Sequence, residues 1–119
     1  MNQLVDLIDI LALLGPQAEE SDWEIADLEC VGAAAEQLYQ FAEENTRVRG
    51  CTLLQLAADV TQVIDGVFSG YRSGESRPWV RVRAVDSSAY DVESDEEAVL
   101  TRMKQRFQEV AELPAGDAG

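Results

Sequence analysis

Apolar positions recur at helical spacing through the first half of the chain. Leu4, Leu7, Ile8, Leu11 and Leu14 form one stripe of a helix over residues 2–14, and Val5, Ile10 and Leu13 widen it. So broad an apolar surface belongs in a core or against a partner. Gly15-Pro16 ends it, because proline cannot continue the hydrogen-bond ladder. Ser21-Asp22-Trp23-Glu24 has the spacing of a capping box, with Ser21 as N-cap and Glu24 reaching back. It predicts a second helix running to about Glu44, with Ile25, Leu28, Val31, Ala35, Leu38 and Phe41 inward. Thr52 predicts the cap of a third helix, roughly 53–64, burying Leu53, Leu56, Ala57, Val60, Val63 and Ile64.

The period then shortens to two. Residues 67–72 and 79–85 read as strands joined by the turn-rich Ser73-Gly74-Glu75-Ser76-Arg77-Pro78. Asp86-Ser87-Ser88 predicts a tight turn into a third strand over 89–93. Pairing 85 with 89 sets Arg83 opposite Asp91 and Arg81 opposite Glu93 on the outer face. It also sets Tyr90 and Val92 beside Ala84 and Val82, so charge and burial agree on this hairpin. Ser94-Asp95-Glu96-Glu97 is a second capping box, opening a helix over about 95–111. Residues 113–119 read as a frayed tail. The expected fold is a single α+β domain over 1–119. It has three N-terminal helices, a three-stranded antiparallel meander and a C-terminal helix, with the helices packed on one sheet face.

Charge narrows the function. The 119 residues carry a formal net charge of -14, and hydrophobic residues make up 46%, enough for a core. Residues 1–46 hold eleven Asp and Glu and no Lys or Arg, so the first half builds most of the negative surface. Such a chain repels phosphate backbones and anionic membranes. It suits cations or a basic protein surface. The opening apolar run is too short to span a bilayer and lacks a basic leader, which predicts a cytoplasmic protein. Cys30 and Cys51 are then expected as reduced, buried thiols, with a single Cys30–Cys51 disulfide as the alternative. The chain has no histidine, no phosphate-binding glycine loop and no nucleophile motif. Binding is therefore expected in place of catalysis.

Two places gather hard-oxygen ligands. If 72 faces 79 across the first hairpin, Asp65 lies opposite Asp86 at one sheet end, beside the Ser87-Ser88 turn. Two carboxylates that close need a cation, a proton or an arginine such as Arg72 between them. The ordinary reading is that Asp86 closes an Asx turn and Asp65-Gly66 is a turn signal. The second place is the acidic linker Glu19, Glu20 and Asp22, with Glu24 and Asp27 one turn on; Glu43-Glu44-Asn45-Thr46 is a weaker version. The linker lacks the spacing of an EF-hand, and its ordinary reading is capping and solvation. Trp23, Tyr71 and Trp79 could anchor a partner but read first as core.

The stretch Val63-Ile64-Asp65-Gly66-Val67-Phe68-Ser69-Gly70-Tyr71, then Pro78 through Ser88, then Tyr90-Asp91-Val92-Glu93-Ser94-Asp95, resembles the small acidic cyanobacterial calcium-binding proteins of the CcbP type. The likeness covers about residues 50–110 and includes length and acidity. It implies a cytoplasmic calcium buffer or signalling protein of non-EF-hand type, taking Ca2+ on surface carboxylates. It assigns no ligand positions; the aspartates at the sheet end come from strand geometry. The competing expectation is an acidic interaction module, an inhibitor or immunity-type partner of a basic protein. The apolar first helix allows a monomer or a dimer.

Overall fold

The structure, a computed structural model, describes residues 7–85 and 89–106. Helix α1 spans Leu7–Leu14 and buries Leu7, Ile10, Leu11 and Leu14, four members of the predicted apolar surface. Gly15, at φ +81, and Pro16 break it and start a short helix α2, Pro16–Glu20. The chain then extends as strand β1 over Asp22–Gly32. Helix α3 covers Ala35–Glu44, strand β2 is Val48–Arg49, and helix α4 is Gly50–Ala58. Strands β3 (Val60–Tyr71), β4 (Val80–Val85) and β5 (Ala89–Ser94) follow, and helix α5 occupies Glu97–Arg106.

All pairings are antiparallel, in one five-stranded sheet of order β2-β1-β3-β4-β5. The expected architecture of three N-terminal helices before a three-stranded meander, with helices on one face, is therefore corrected. The chain is α+β with two more strands, five described helices, and α3 lying against β1.

The correction has a physical cause in residues 21–32. They satisfy two periods at once. Ile25, Leu28 and Val31 recur at helical spacing, while Trp23 and Ile25 alternate with Asp22 and Glu24. Tertiary partners decide. Opposite Trp23 stands Gly70, and a Cβ there would meet the Trp23 ring at 3.0 Å, so the glycine leaves room for the indole. Opposite Ile25 stands Phe68, which is fully buried. Burying an aromatic of that size contributes about 1.5–3 kcal/mol, more than the tenths by which helix propensities differ. The supposed cap is used otherwise: Ser21 Oγ donates to Gln17 O at 2.7 Å and accepts from Trp79 Nε1 at 2.8 Å.

The predicted third helix begins earlier and stops at Ala58. Its N-cap is Arg49, not Thr52, and Val60-Thr61-Gln62-Val63-Ile64 joins β3. Four of those five residues are β-branched, which suits a pleated surface. Helix α3 does end at Glu44 as expected, closed by Asn45 in the left-handed region at φ 59.

The second hairpin has the predicted register: Val85 faces Ala89, Arg83 faces Asp91 and Arg81 faces Glu93. The first hairpin is one residue away from expectation, with Gly70 and not Tyr71 opposite Val80. The turn Asp86-Ser87-Ser88, the end of the last predicted helix and the 113–119 tail lie outside the described residues. Ser94 does serve the entry to α5, accepting the Glu96 N–H at 3.1 Å while donating to Trp79 O at 2.7 Å.

The tightest packing lies where α2, α4 and the two tryptophans meet. Trp23 and Trp79 are fully buried, and each indole N–H is bonded, Trp23 Nε1 to Ala18 O at 2.9 Å and Trp79 Nε1 to Ser21 Oγ. Gly50 sits against α2, its N–H donating to Ser21 O at 2.8 Å. A Cβ at that position would lie 1.8 Å from Ala18 O, so only glycine permits the approach.

Candidate functional site

Directly opposed residues in a sheet share a face. One row across the outer face reads Glu24, Ser69, Arg81, Glu93, and the next reads Ala26, Val67, Arg83, Asp91. Strand β2 adds Arg49 opposite Asp22. The bases here are committed. Arg47 Nε reaches Glu24 Oε2 at 3.1 Å, and its guanidinium lies 3.9 Å over the Tyr71 ring. Arg49 pairs with Asp22 at 3.6 Å and Arg81 with Glu93 at 3.7 Å. Tyr71 O–H donates to Glu24 Oε1 at 3.2 Å. Burial, and next the charge and hydrogen bond of Glu24, push the Tyr71 hydroxyl above its ordinary pKa. Solvent-facing pairs of this kind contribute about 0–1 kcal/mol each. Their larger effect is to neutralise one face of a strongly acidic molecule.

The far end of β1 and β3 is different. Between Ala26 and Glu29 the first strand holds one residue more than its partner, and compensating irregularities follow at Glu29/Cys30 and Val31/Gly32. Asp27 adopts the left-handed region at φ 52. The bulge brings Glu29 directly opposite Asp65. Asp27 and Glu29 are exposed on β1, Glu36 on the first turn of α3 and Asp59 after α4, and Val31 is 46% exposed opposite Gln62. No Lys or Arg occurs in residues 26–46 or 50–71. The next base in register is Arg83, opposite Val67 and Asp91. This end of β1 and β3 therefore carries acids on both strands and an exposed valine two residues beyond Glu29.

A groove of about 580 Å³ lies elsewhere, between the α1–α2 elbow, the segment after β3 and α5. Arg72 is ion-paired to Glu96 and, at 3.6 Å, to Glu75, and sits 5.4 Å over the Trp79 ring. Gln17 Nε2 donates to Glu96 at 3.2 Å, and Arg102 Nη1 donates to Leu13 O at 3.0 Å. These contacts fasten the helices to the sheet corner.

The predicted ligands are dispersed. Asp65 lies on β3 beside Glu29, while Asp86 falls outside the described residues. Arg72 turns to Glu75 and Glu96. Glu19 and Glu20 are exposed on α2, and Asp22 has Arg49 as partner. Among the described residues, no three acids, cysteines or histidines stand together as a metal-holding group. Both thiols are free: Cys30 is buried, with its pKa raised by that burial, whereas Cys51 is exposed, contrary to the expectation of two buried thiols. No described helix is long and apolar enough to cross a membrane. The Glu29–Asp65 opposition and the Arg47–Tyr71–Glu24 cluster escape a sequence reading that places residues 22–32 on a helix. The alternation of Trp23 and Ile25 is the signal that could have found them.

No protein-family model matches the chain, and no curated protein or solved structure is significantly similar to it.

Proposed function

We propose that the protein is a non-catalytic acidic module that docks a basic protein surface on the end of the sheet carrying Asp27, Glu29, Val31 and Asp65. The observation that carries this reading is the segregation of charge. Arg47, Arg49, Arg81 and Arg83 are set against acids on the outer sheet face, whereas Asp27 and Glu29 are exposed at the bulged end next to an exposed valine, in a stretch, residues 26–46, that holds no Lys or Arg. Complementary charge accelerates encounter, and the apolar centre supplies the desolvated contact that outlasts it.

The test is calorimetric titration with a lysine-rich test protein at low and at about 0.15 M salt, where charges more than about 8 Å apart are screened. The Asp27→Asn, Glu29→Gln, Asp65→Asn triple variant should bind about tenfold more weakly, the effect of losing about 1.4 kcal/mol. Neutralising Glu19, Glu20 and Glu97 instead should change little. Equal losses from both triples would reduce the binding to diffuse charge and sink the assignment of the surface.

A second reading, calcium binding, is favoured by the opposition of Glu29 and Asp65 and by the resemblance of residues 50–110 to calcium binders. It predicts saturable calcium binding at about 0.15 M salt that Asp65→Asn weakens. A featureless calcium titration of chelator-treated protein removes it.

A further inference from the structure

The groove between the α1–α2 elbow, the segment after β3 and α5 lies at the opposite end of β1 and β3 from the bulge. Its volume of about 580 Å³ falls within the range of about 300–1,000 Å³ typical of small-ligand sites. Leu14 and Val99 line it and are themselves buried, so its base is apolar. Glu20, Arg72, Glu96 and Arg102 line it too, two acids and two bases, a neutral set in a molecule of net charge -14. Two of the four are matched: Arg72 is ion-paired to Glu96, which also accepts from Gln17 Nε2 at 3.2 Å. The other two, Glu20 and Arg102, are exposed, and among the described residues neither pairs with an opposite charge. Arg102 Nη1 donates to Leu13 O at 3.0 Å, which fixes the guanidinium at the end of α1 and leaves its other N–H groups to a ligand.

From these two unmatched, opposite charges over an apolar base we infer that the groove binds a small zwitterion with an apolar body. The ligand is an aliphatic amino acid or a short apolar peptide. Its carboxylate pairs with Arg102, its ammonium with Glu20, and its side chain covers Leu14 and Val99. The charge pattern disfavours simpler ligands. A lone anion would meet the field of a -14 molecule with one unmatched base to hold it. A lone cation would find the same carboxylate chemistry at many exposed acids, with nothing to favour the groove. A zwitterion carries no net charge and uses both unmatched groups. The walls are already set by the Arg72–Glu96–Gln17 contacts and by the Ser21 hydroxyl between Gln17 O and Trp79 Nε1, so binding costs little ordering.

The experiment titrates the full chain with leucine and with leucyl-leucine, followed by backbone NMR. Each titration is repeated with the ligand's amine acetylated and with its carboxylate amidated. At least one zwitterion should give saturable shifts at residues 14–21, 72–73 and 96–102, and the tighter of the two tells amino acid from peptide. Blocking either end should weaken binding about tenfold. Arg102→Gln should weaken the zwitterion about tenfold and leave the amidated form unchanged, since that form has no carboxylate to lose. Glu20→Gln should do the same to the zwitterion and leave the acetylated form unchanged. Variants that weaken blocked and unblocked ligands alike would overturn the pairing, because a distorted groove would explain them. Equal binding of the blocked forms would overturn it too, as would the absence of saturable shifts with both zwitterions at millimolar concentration. The triple variant of the bulged end should leave this binding unchanged, so the two surfaces succeed or fail separately.

Discussion

Strands β1 and β3 run side by side through two environments. Over residues 22–26 and 67–71 the register is unbroken, β2 and β4 continue the sheet, and every outward acid of β1 faces an arginine. Over residues 27–32 and 60–66 the same two strands slip three times, and an acid faces an acid. The regular end is held by shape: two indoles, a glycine under Trp23 and a glycine against Ala18. The bulged end packs Cys30 and Val63 with Leu38 of α3 in the core, and the Tyr39 hydroxyl holds the Cys30 backbone. Both ends reach the core, the bulged end through Cys30, Leu38 and Val63, but only the regular end combines that packing with an unbroken register. Backbone irregularities of this kind are common where a surface serves binding.

The largest effect is expected at Gly50. The Gly50→Ala variant should lose about 3 kcal/mol or more by denaturant unfolding, because the added methyl displaces the Ala18 carbonyl and not a flexible side chain. Val31→Ser at the bulged end, by contrast, should stay within about 0.5 kcal/mol of the parent. A mild Gly50→Ala would mean that the α2–α4 contact is not the anchor described.

Next comes Ser21→Ala, which strands the Trp79 indole N–H in a buried site and should cost about 1–3 kcal/mol. In the Ser21→Ala, Trp79→Phe double variant the losses should not add, since both break one bond. Additive losses would place the two residues in separate networks.

These anchors explain which parts of the fold were legible in the sequence. The β4–β5 hairpin was legible because two independent signals, alternating burial and opposed charges, agree on one register. The first helix was legible because no strand places Leu7, Ile10, Leu11 and Leu14 on one side. Residues 22–32 were not, because local patterning there permits both periods, and the deciding partners, Gly70 and Phe68, lie more than forty residues away. The same misreading hid the candidate surface. Asp65 could be placed at a sheet end from its spacing, but its neighbour Glu29 sits on a strand that looked helical, and a bulge at Asp27 fixes their alignment. Bulges leave little trace in a sequence, since Asp27 is not the glycine that usually marks a left-handed residue.

At the bulged end, Tyr39→Phe should cost about 1–2 kcal/mol, the loss of hydrogen bonds to a half-buried backbone N–H and carbonyl. The loss should be local to this end of the sheet. Cys30 should react faster with a thiol reagent, while the denaturant midpoint followed by tryptophan fluorescence moves less than for Ser21→Ala. Burial raises the Cys30 pKa, so loosening this end should also bring thiolate formation back toward the ordinary pH. A thiol that reacts no faster in the variant would show that Tyr39 does not secure the strand.

The smallest effect belongs to the matched outer face. Glu24→Gln removes an exposed ion pair and should cost at most about 1 kcal/mol at neutral pH. Its signature is in alkali. In the folded chain Tyr71 holds its proton above the ordinary tyrosine pKa of 10, first through burial and then through Glu24. A folded pKa above the unfolded one means that the folded state binds more protons between the two values. The associated stability is therefore complete below about pH 10 and is lost as pH rises through the folded pKa. Removing the Glu24 charge should lower the Tyr71 pKa and narrow that window without closing it, because burial remains. Ultraviolet titration of tyrosinate in parent and variant reads this directly. An unchanged titration would mean that Glu24 does not act on Tyr71, and that charge on this face is matched by register alone and not by contact.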